Sequence, residues 1–352
     1  MSATGLPAGR LAASRRPRAL LLLLLVGFAL LCAAALWSLC IGRYPLDGAT
    51  VLRILASRVL PLDRDWSQVQ ESIVINARAP RAVMAMICGA GLAMTGAALQ
   101  GVFRNPLVSP HILGVSAGAS FGGALAILLG LTGFAMIGTA FAMGCVTLLI
   151  VALLARVGGR SASIAVVLTG IIVGSLFGSL VSLLKFVADA DTSLPAIVFW
   201  LMGSFAASSW DRLALAAPAI LAGLAVILGM RFRINLLSLG EEEAQALGMS
   251  VERDRWIVFL GVCLVEGAIV SFCGVVGWVG LIVPHAARML VGADQRRLLP
   301  ISALLGAIFM LLVDTLARSV TAAEIPIGVL TSIIGAPVFA ALLRRRYRTG
   351  LS

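Results

Sequence analysis

The sequence predicts an all-α, polytopic membrane protein with about ten transmembrane helices and both termini in the cytoplasm. Three observations carry that prediction. Of 352 residues, 60% are apolar and only 12% are charged, whereas about a quarter of a soluble domain is charged. The apolar residues run continuously and are interspersed with 37 glycines, as in helices packed closely in lipid; barrel strands would alternate apolar and polar residues. Finally, the basic residues are distributed unequally between the two sides that such helices would define.

A spanning helix needs about 20 mainly apolar residues, because the hydrocarbon core is about 30 Å thick and each residue rises about 1.5 Å. Ten segments qualify: 19–41, 82–102, 112–131, 134–155, 163–184, 213–230, 256–275, 276–291, 298–313 and 327–343. The eighth is short and contains Pro284, which is expected to interrupt it. The first follows Arg10, Arg15, Arg16 and Arg18 with no small-residue cleavage site after it, so it is expected to be a retained span. With the N-terminus inside, 18 of the 27 basic residues face the cytoplasm and the other nine face out. The net charge of +11 is then mostly topogenic and calls for no nucleic-acid partner. The chain divides into a cytoplasmic segment 1–18, a membrane domain 19–343 and a cytoplasmic tail 344–352.

Several local patterns bear on chemistry. All six cysteines lie in or beside apolar runs, without a CxxC pair, and read as small buried hydrophobes; no metal site is expected. Gly170, Gly174 and Gly178 form a small-residue stripe for close helix approach, within the chain or between two copies. The stretch GVSAG at 114–118 matches the nucleophile-elbow pattern formally, with His111 or His285 as a conceivable base for Ser116. It leads into an apolar helix rather than a strand-to-helix turn, which favours packing over an intramembrane serine protease. His285, near the cytoplasmic end of its span, reads as a helix-end hydrogen-bonding residue. Glu266 falls near the middle of the seventh span, where an isolated carboxylate costs about 2.5–3.5 kcal/mol. It must face a cavity or a partner or be protonated, and a proton-coupled carrier is one use of such a group.

The stretch LLSLGEEEAQALGMSVERDR at 236–255 holds five of the chain's 16 acidic residues and joins the sixth and seventh spans on the cytoplasmic side. Ser238 and Glu241 have the spacing of a capping box, Glu241, Glu242 and Glu243 suit a first helical turn, and Gly248 suits a C-terminal cap. On these residues alone, a partner-docking helix and a solvated loop are equally admissible.

Read in order, RAPR (78–81), GAALQGVFRNPLVSPHILGVSAGA (96–119), FWLMGSF (199–205), LLSLGEEEAQALGM (236–249), GWVGLIVPHAARMLVG (277–292), DTLAR (314–318) and EIPIGVLTSIIGAPVF (324–339) resemble the FecCD-type permeases. These are permease subunits of binding-protein-dependent ABC importers for iron-siderophores, haem and cobalamin, located in the bacterial inner membrane. The resemblance implies a ten-helix subunit paired with a second copy, two cytoplasmic ATPase subunits and a periplasmic or extracellular substrate-binding protein. ATP and Mg would be bound by the ATPase, since this chain has no Walker A motif and is expected to bind no cofactor. The resemblance casts 236–249 as the coupling helix. There Leu239, Ala246 and Leu247 would give apolar contact with the ATPase, Glu241 to Glu243 would give charged contact, and Ser238, Gly240 and Gly248 would shape the ends. It assigns Arg78, Arg81 and Arg318 to docking of glutamates from the binding protein, against plainer roles as headgroup anchors and an Arg318–Asp314 pair. It places Asn105, Pro106 and Leu107 at a cytoplasmic gate. Glu266 departs from the small or apolar residue expected at its position. An iron chelate is the expected cargo on the breadth of the family, with haem and cobalamin as alternatives.

Overall fold

The computed structural model describes residues 17–156, 163–321 and 323–348, which are helical with no strand. The predicted positions Arg10, Arg15, Arg16 and Arg160 lie outside the described residues. The helices are α1 (Pro17–Cys40), α2 (Gly48–Ala56) and α3 (Gln68–Ser72), the last running through a π-helical turn (Ile73–Arg78) into α4 (Ala79–Val102). After a 3-10 turn (Pro110–Leu113) come α5 (Val115–Leu128), α6 (Gly133–Leu154), α7 (Ser163–Val187), α8 (Ser193–Leu201) and α9 (Trp210–Gly229). Then follow α10 (Arg231–Leu237), α11 (Glu241–Ala246), α12 (Val251–Cys273), α13 (Val279–Val291), α14 (Gln295–Ser319) and α15 (Ile327–Arg348). Seven of these stretches are long and apolar enough to cross a membrane, and Val115–Leu128, Val279–Val291 and Ile327–Leu342 are shorter apolar helices. Each of the ten segments expected from the sequence falls on one of them.

Helix α4 is the axis of the bundle, packed by α14, α13, α9 and α12. Lipid tails are as apolar as leucine, so helices in a membrane associate through close packing rather than through exclusion of water. The glycines of α4 serve that requirement. A Cβ on Gly89 would strike the backbone carbonyl of Gly306 in α14, and one on Gly96 would strike the carbonyl of Gly280 in α13. By contrast α1 is the least buried of the long spans, and Leu21, Leu22, Leu25 and Phe28 point outward from it. Cys32 is also exposed there, unlike the buried Cys88, Cys263 and Cys273, so burial of all six cysteines does not hold.

Pro284 does not break its span. It lies inside α13, which is short because residues 274–278 form a non-helical linker after α12. Facing that linker is a second irregular stretch, 103–114, which connects α4 to α5. Pro110 of this stretch packs on Gly280, and Gly114, in the left-handed conformation at φ +73°, packs beside Gly170 of α7. The only two non-glycine residues of positive φ among those described, Arg104 and Trp278, belong one to each stretch.

The segment between α1 and α4 folds into a small lobe of its own. Val51 and Ile54 of α2 bury against Leu39, Leu46, Trp66 and Leu311. Asp47 caps α2, and a true capping box pairs Ser67 with Gln70 at α3. Arg53 pairs with Asp65 and Arg58 with Glu71, so two of the outward arginines are held by this lobe.

Candidate functional site

Three groups of polar residues lie along the bundle. In the first, α10 and α11 form an elbow between α9 and α12. Glu241, Glu242 and Glu243 occupy the first turn of α11, where the helix dipole favours carboxylates. The expected capping box does not form: Ser238 ends α10, and its hydroxyl donates back to the Asn235 carbonyl at 2.6 Å. Gly240 caps α11 instead. The C-terminal cap is as expected. Gly248, at φ +80°, donates its N–H to the Gln245 carbonyl, and Met249 donates to Ala244, the two bonds of a Schellman motif.

The three glutamates part ways. Glu241 turns inward and accepts hydrogen bonds from Ser163 Oγ at 2.6 Å and from the buried Arg255 Nη2 at 2.5 Å. It thereby ties α11 to the first residue of α7 and to α12. Burial pushes its carboxyl up, but the Ser163 hydrogen bond and the Arg255 charge outweigh that and hold it below the ordinary carboxylate value. Glu242 and Glu243 are exposed, as are Ala246, Leu239 and Leu247, the leucines at 56% and 61%. Two exposed leucines flanked by exposed carboxylates between the long apolar helices α9 and α12 form a mixed apolar and acidic patch of the kind partners cover. Beneath it, Asp294 caps α14 and accepts from Asn235 Nδ2 at 2.8 Å, fixing α10 to α14. Hydrogen bonding from Arg296 holds the Asp294 carboxyl down at about 2.

Close to the elbow, Asn105 Oδ1 accepts from the Leu107 N–H at 2.9 Å. This turn leaves Asn105 and Leu107 exposed and Pro106 half-buried. The turn is steadied by Gln100, whose amide donates to the Val108 carbonyl and whose Oε1 accepts from Arg288 at 2.9 Å.

The second group is buried within the bundle. Glu266 of α12 is fully buried and accepts a hydrogen bond from Ser116 Oγ of α5. His111 of the 103–114 stretch completes the cluster: its Nδ1 lies 2.8 Å from Ser116 Oγ and 3.2 Å from Glu266 Oε1. The sequence offers His111 as a conceivable base for Ser116 but does not join Glu266 to them; 150 residues separate the serine from the glutamate. In a catalytic relay the imidazole stands between serine and carboxylate and uses both nitrogens. Here both contacts converge on one nitrogen, and the serine bonds the carboxylate directly. His285 is buried in α13, with its ring against Phe339.

The third group is at the opposite end. Arg78 and Arg318 are buried and donate to the last carbonyls of α1 and the residues just after it. Arg78 reaches Leu39, Cys40 and Tyr44, and Arg318 reaches Ser38 and Ile41. The last carbonyls of a helix have no partner within it, so the two guanidinium groups act as the C-cap of α1. Arg81 forms a fork onto Asp314, with Nε and Nη2 at 3.0 and 2.9 Å, and gives Nη1 to Glu324 at 2.9 Å. Arg318 also pairs with Asp314 one turn earlier, at 3.7 Å. The anchoring the sequence allowed for is therefore internal to the chain, at helix ends and carboxylates rather than at lipid headgroups.

The chain is similar along most of its length to known membrane transport proteins. The model of the FecCD transport family covers residues 14–345. The molybdate import permease of Haemophilus influenzae is 45% identical over 92% of this chain and 95% of that protein. The cobalamin import permease of Halobacterium salinarum is 40% identical over 81% of this chain and 77% of that protein. The hemin transport permease of Yersinia pestis is 38% identical over 78% and 84%. A solved structure assigned to the metal-chelate type of ABC transporter, in an inward-facing conformation, superposes with a TM-score of 0.83 at 42% identity, covering 94% of this chain and all of that one.

Proposed function

This chain belongs to the FecCD transport family as a permease subunit of an ABC importer, and we propose that it carries a compact anionic metal compound across the bacterial inner membrane. A metal oxyanion such as molybdate comes first and an anionic ferric chelate second. The observation that carries this reading is the extent of similarity to a molybdate permease, which spans nearly the whole of both chains. The iron chelate expected from the breadth of the family is thereby moved to second place, with haem and cobalamin behind it.

Energy comes from two ATPase subunits seated on the elbow. Leu239, Ala246 and Leu247 supply apolar contact, and Glu242 and Glu243 supply charge. Glu241 carries displacement of α11 into α7 and α12. The outward apolar faces of α7 and α15, with Ile171, Ile172, Leu176 and Ile333 exposed, suit a second copy, so that two chains would enclose one pathway with Asn105, Pro106 and Leu107 at its cytoplasmic mouth. A substrate-binding protein docks on the outer rim. Arg78 and Arg318 order that rim, and Arg81 is the member that can exchange its exposed partner Glu324 for a carboxylate of the binding protein.

The test is uptake by proteoliposomes holding the permease, its ATPase and its binding protein. ATP-dependent accumulation of radiolabelled molybdate or ferric citrate is expected, while cyanocobalamin and hemin stay outside. Accumulation of cobalamin or hemin alone would overturn the cargo assignment, and accumulation without ATP would overturn the importer reading.

A further inference from the structure

Glu266 is fully buried in the membrane domain, and its single ion-pair partner among the described residues is His111. It lies seven residues before the end of α12 at Cys273, roughly 10 Å inside that end by the helix rise of about 1.5 Å per residue. Full burial denies a lone carboxylate its solvation, and intramembrane ionisable groups pair with one another or face a water-filled cavity. The other titratable group close to Glu266 is the Cys263 thiol, one turn earlier on α12. That thiol contacts Cys145 and the Gly144 carbonyl instead, which leaves the imidazole as the titratable group in direct contact with the carboxylate.

The hydrogen bonds fix how the imidazole is held. Ser116 has one hydroxyl proton and donates it to Glu266. Its oxygen is left to accept, so the His111 nitrogen facing it, Nδ1, carries a proton. Nδ1 is therefore committed to the serine and the carboxylate, and Nε2 points away. The His111 side chain is 36% exposed although its partner is wholly buried. Its Nε2 lies 4.0 Å from where a Cβ would stand on Gly277, in the linker 274–278.

Two irregular backbone stretches, 103–114 and 274–278, thus meet around His111 inside the bundle. Irregular backbone at membrane depth is tolerated where it is buried in protein or lines a water-filled cavity. A half-exposed imidazole paired to a buried carboxylate has no use facing lipid.

We propose that His111, in its protonated form, is a cargo-contact residue in the translocation pathway: seated beside Glu266 and oriented by Ser116, it presents its Nε2–H to an anionic group of the passing compound. This deepens the transport reading above and rests on it. One hydrogen-bonding cation in the pathway favours oxyanions and carboxylate-bearing chelates over neutral cargo. Its charge is offset by Glu266, so the cargo is not trapped. Glu266 is a positioning residue, behind the imidazole and out of reach of the cargo.

The experiment places a thiol beside Nε2 in the complete importer, using Gly277→Cys, where an added Cβ comes within 4.0 Å of the imidazole Nε2. Its rates of reaction with an anionic and a cationic methanethiosulfonate are compared, with the wild-type chain as the background of native thiols. A unit charge about 6 Å away changes the anion-to-cation rate ratio by about tenfold even at the dielectric of water. Adding His111→Gln, which keeps a hydrogen bond and loses the charge, should lower the ratio by that order. An unchanged ratio would overturn the proposal, as would an introduced thiol that never reacts in any nucleotide state. Should Gly277→Cys fail to insert, the single change His111→Gln decides. It should slow ATP-driven molybdate uptake severalfold while ATP hydrolysis stimulated by loaded binding protein persists, and wild-type uptake rates would overturn the proposal. Failure of the wild-type importer to take up any cargo would count against the transport reading and not against this site, because the labelling ratio needs no cargo.

Discussion

Asp314 is buried, yet it answers two arginines, Arg81 through a fork and Arg318 across one helical turn. Removing one member of a buried charge network leaves the others uncompensated, at a cost of about 3–5 kcal/mol. Asp314→Ala should therefore lower the melting temperature of the purified permease sharply, and Arg78→Glu should do the same, because it would set a carboxylate among the carbonyls that end α1. An unaltered melting temperature in both variants would show that these groups are free to serve docking alone. The sequence made the Asp314–Arg318 pair legible through its four-residue spacing. It did not show that Arg78 reaches back 39 residues to cap α1, since nothing local marks a carbonyl end that lacks donors. Likewise Ser116, His111 and Glu266 each stood out, but their convergence depends on how α5 packs on α12, which spacing does not encode.

Among the elements, the elbow shows most directly how local rules combine. The positions of the acidic first turn and of Gly248 could be read from the residues, because dipole and left-handed cap act within one turn. The capping box failed for an equally local reason: Ser238 closes α10 before α11 begins. The direction of each glutamate was not legible, since it depends on Arg255 and Ser163 arriving from other helices. Two consequences separate. Glu241→Gln removes the charge facing Arg255 while leaving the docking patch intact. It should preserve ATPase co-purification yet uncouple ATP hydrolysis from uptake, and equal loss of both would mean that Glu241 only stabilises the elbow. At the α14 end, Asp294→Ala deletes a helix cap and should cost about 1 kcal/mol. The pH dependence of that cap follows from its depressed carboxyl. The contribution is full above the ordinary carboxylate value of about 3.9 and fades as pH falls through the folded value of about 2. Between about pH 8 and about pH 5, the difference in thermal stability between wild type and Asp294→Ala should therefore stay constant; a difference that vanished near about pH 6 would contradict the assignment.

At the scale of the whole molecule, the bundle is legible because hydrophobic length sets span positions almost without regard to tertiary context. The two places where that rule gave least, residues 103–114 and 274–278, are those where the backbone leaves the helix and where the proposed gate and cargo contact lie. What unites the molecule is a line of contact from the exposed elbow, through Glu241, to α7 and α12, and along α12 to Glu266 and His111. The central claim is that an ATPase drives this line by seating on the patch formed by Leu239, Leu247, Glu242 and Glu243. The most direct measurement is the amount of ATPase that co-purifies with the permease when Leu239 and Leu247 are both changed to aspartate, with Glu241 and its partners untouched. Burying two unpaired carboxylates in an interface costs a few kcal/mol, so retention should fall by about a hundredfold or more while the permease still inserts and melts as wild type. Undiminished co-purification, with ATP hydrolysis still stimulated by loaded binding protein, would contradict the account.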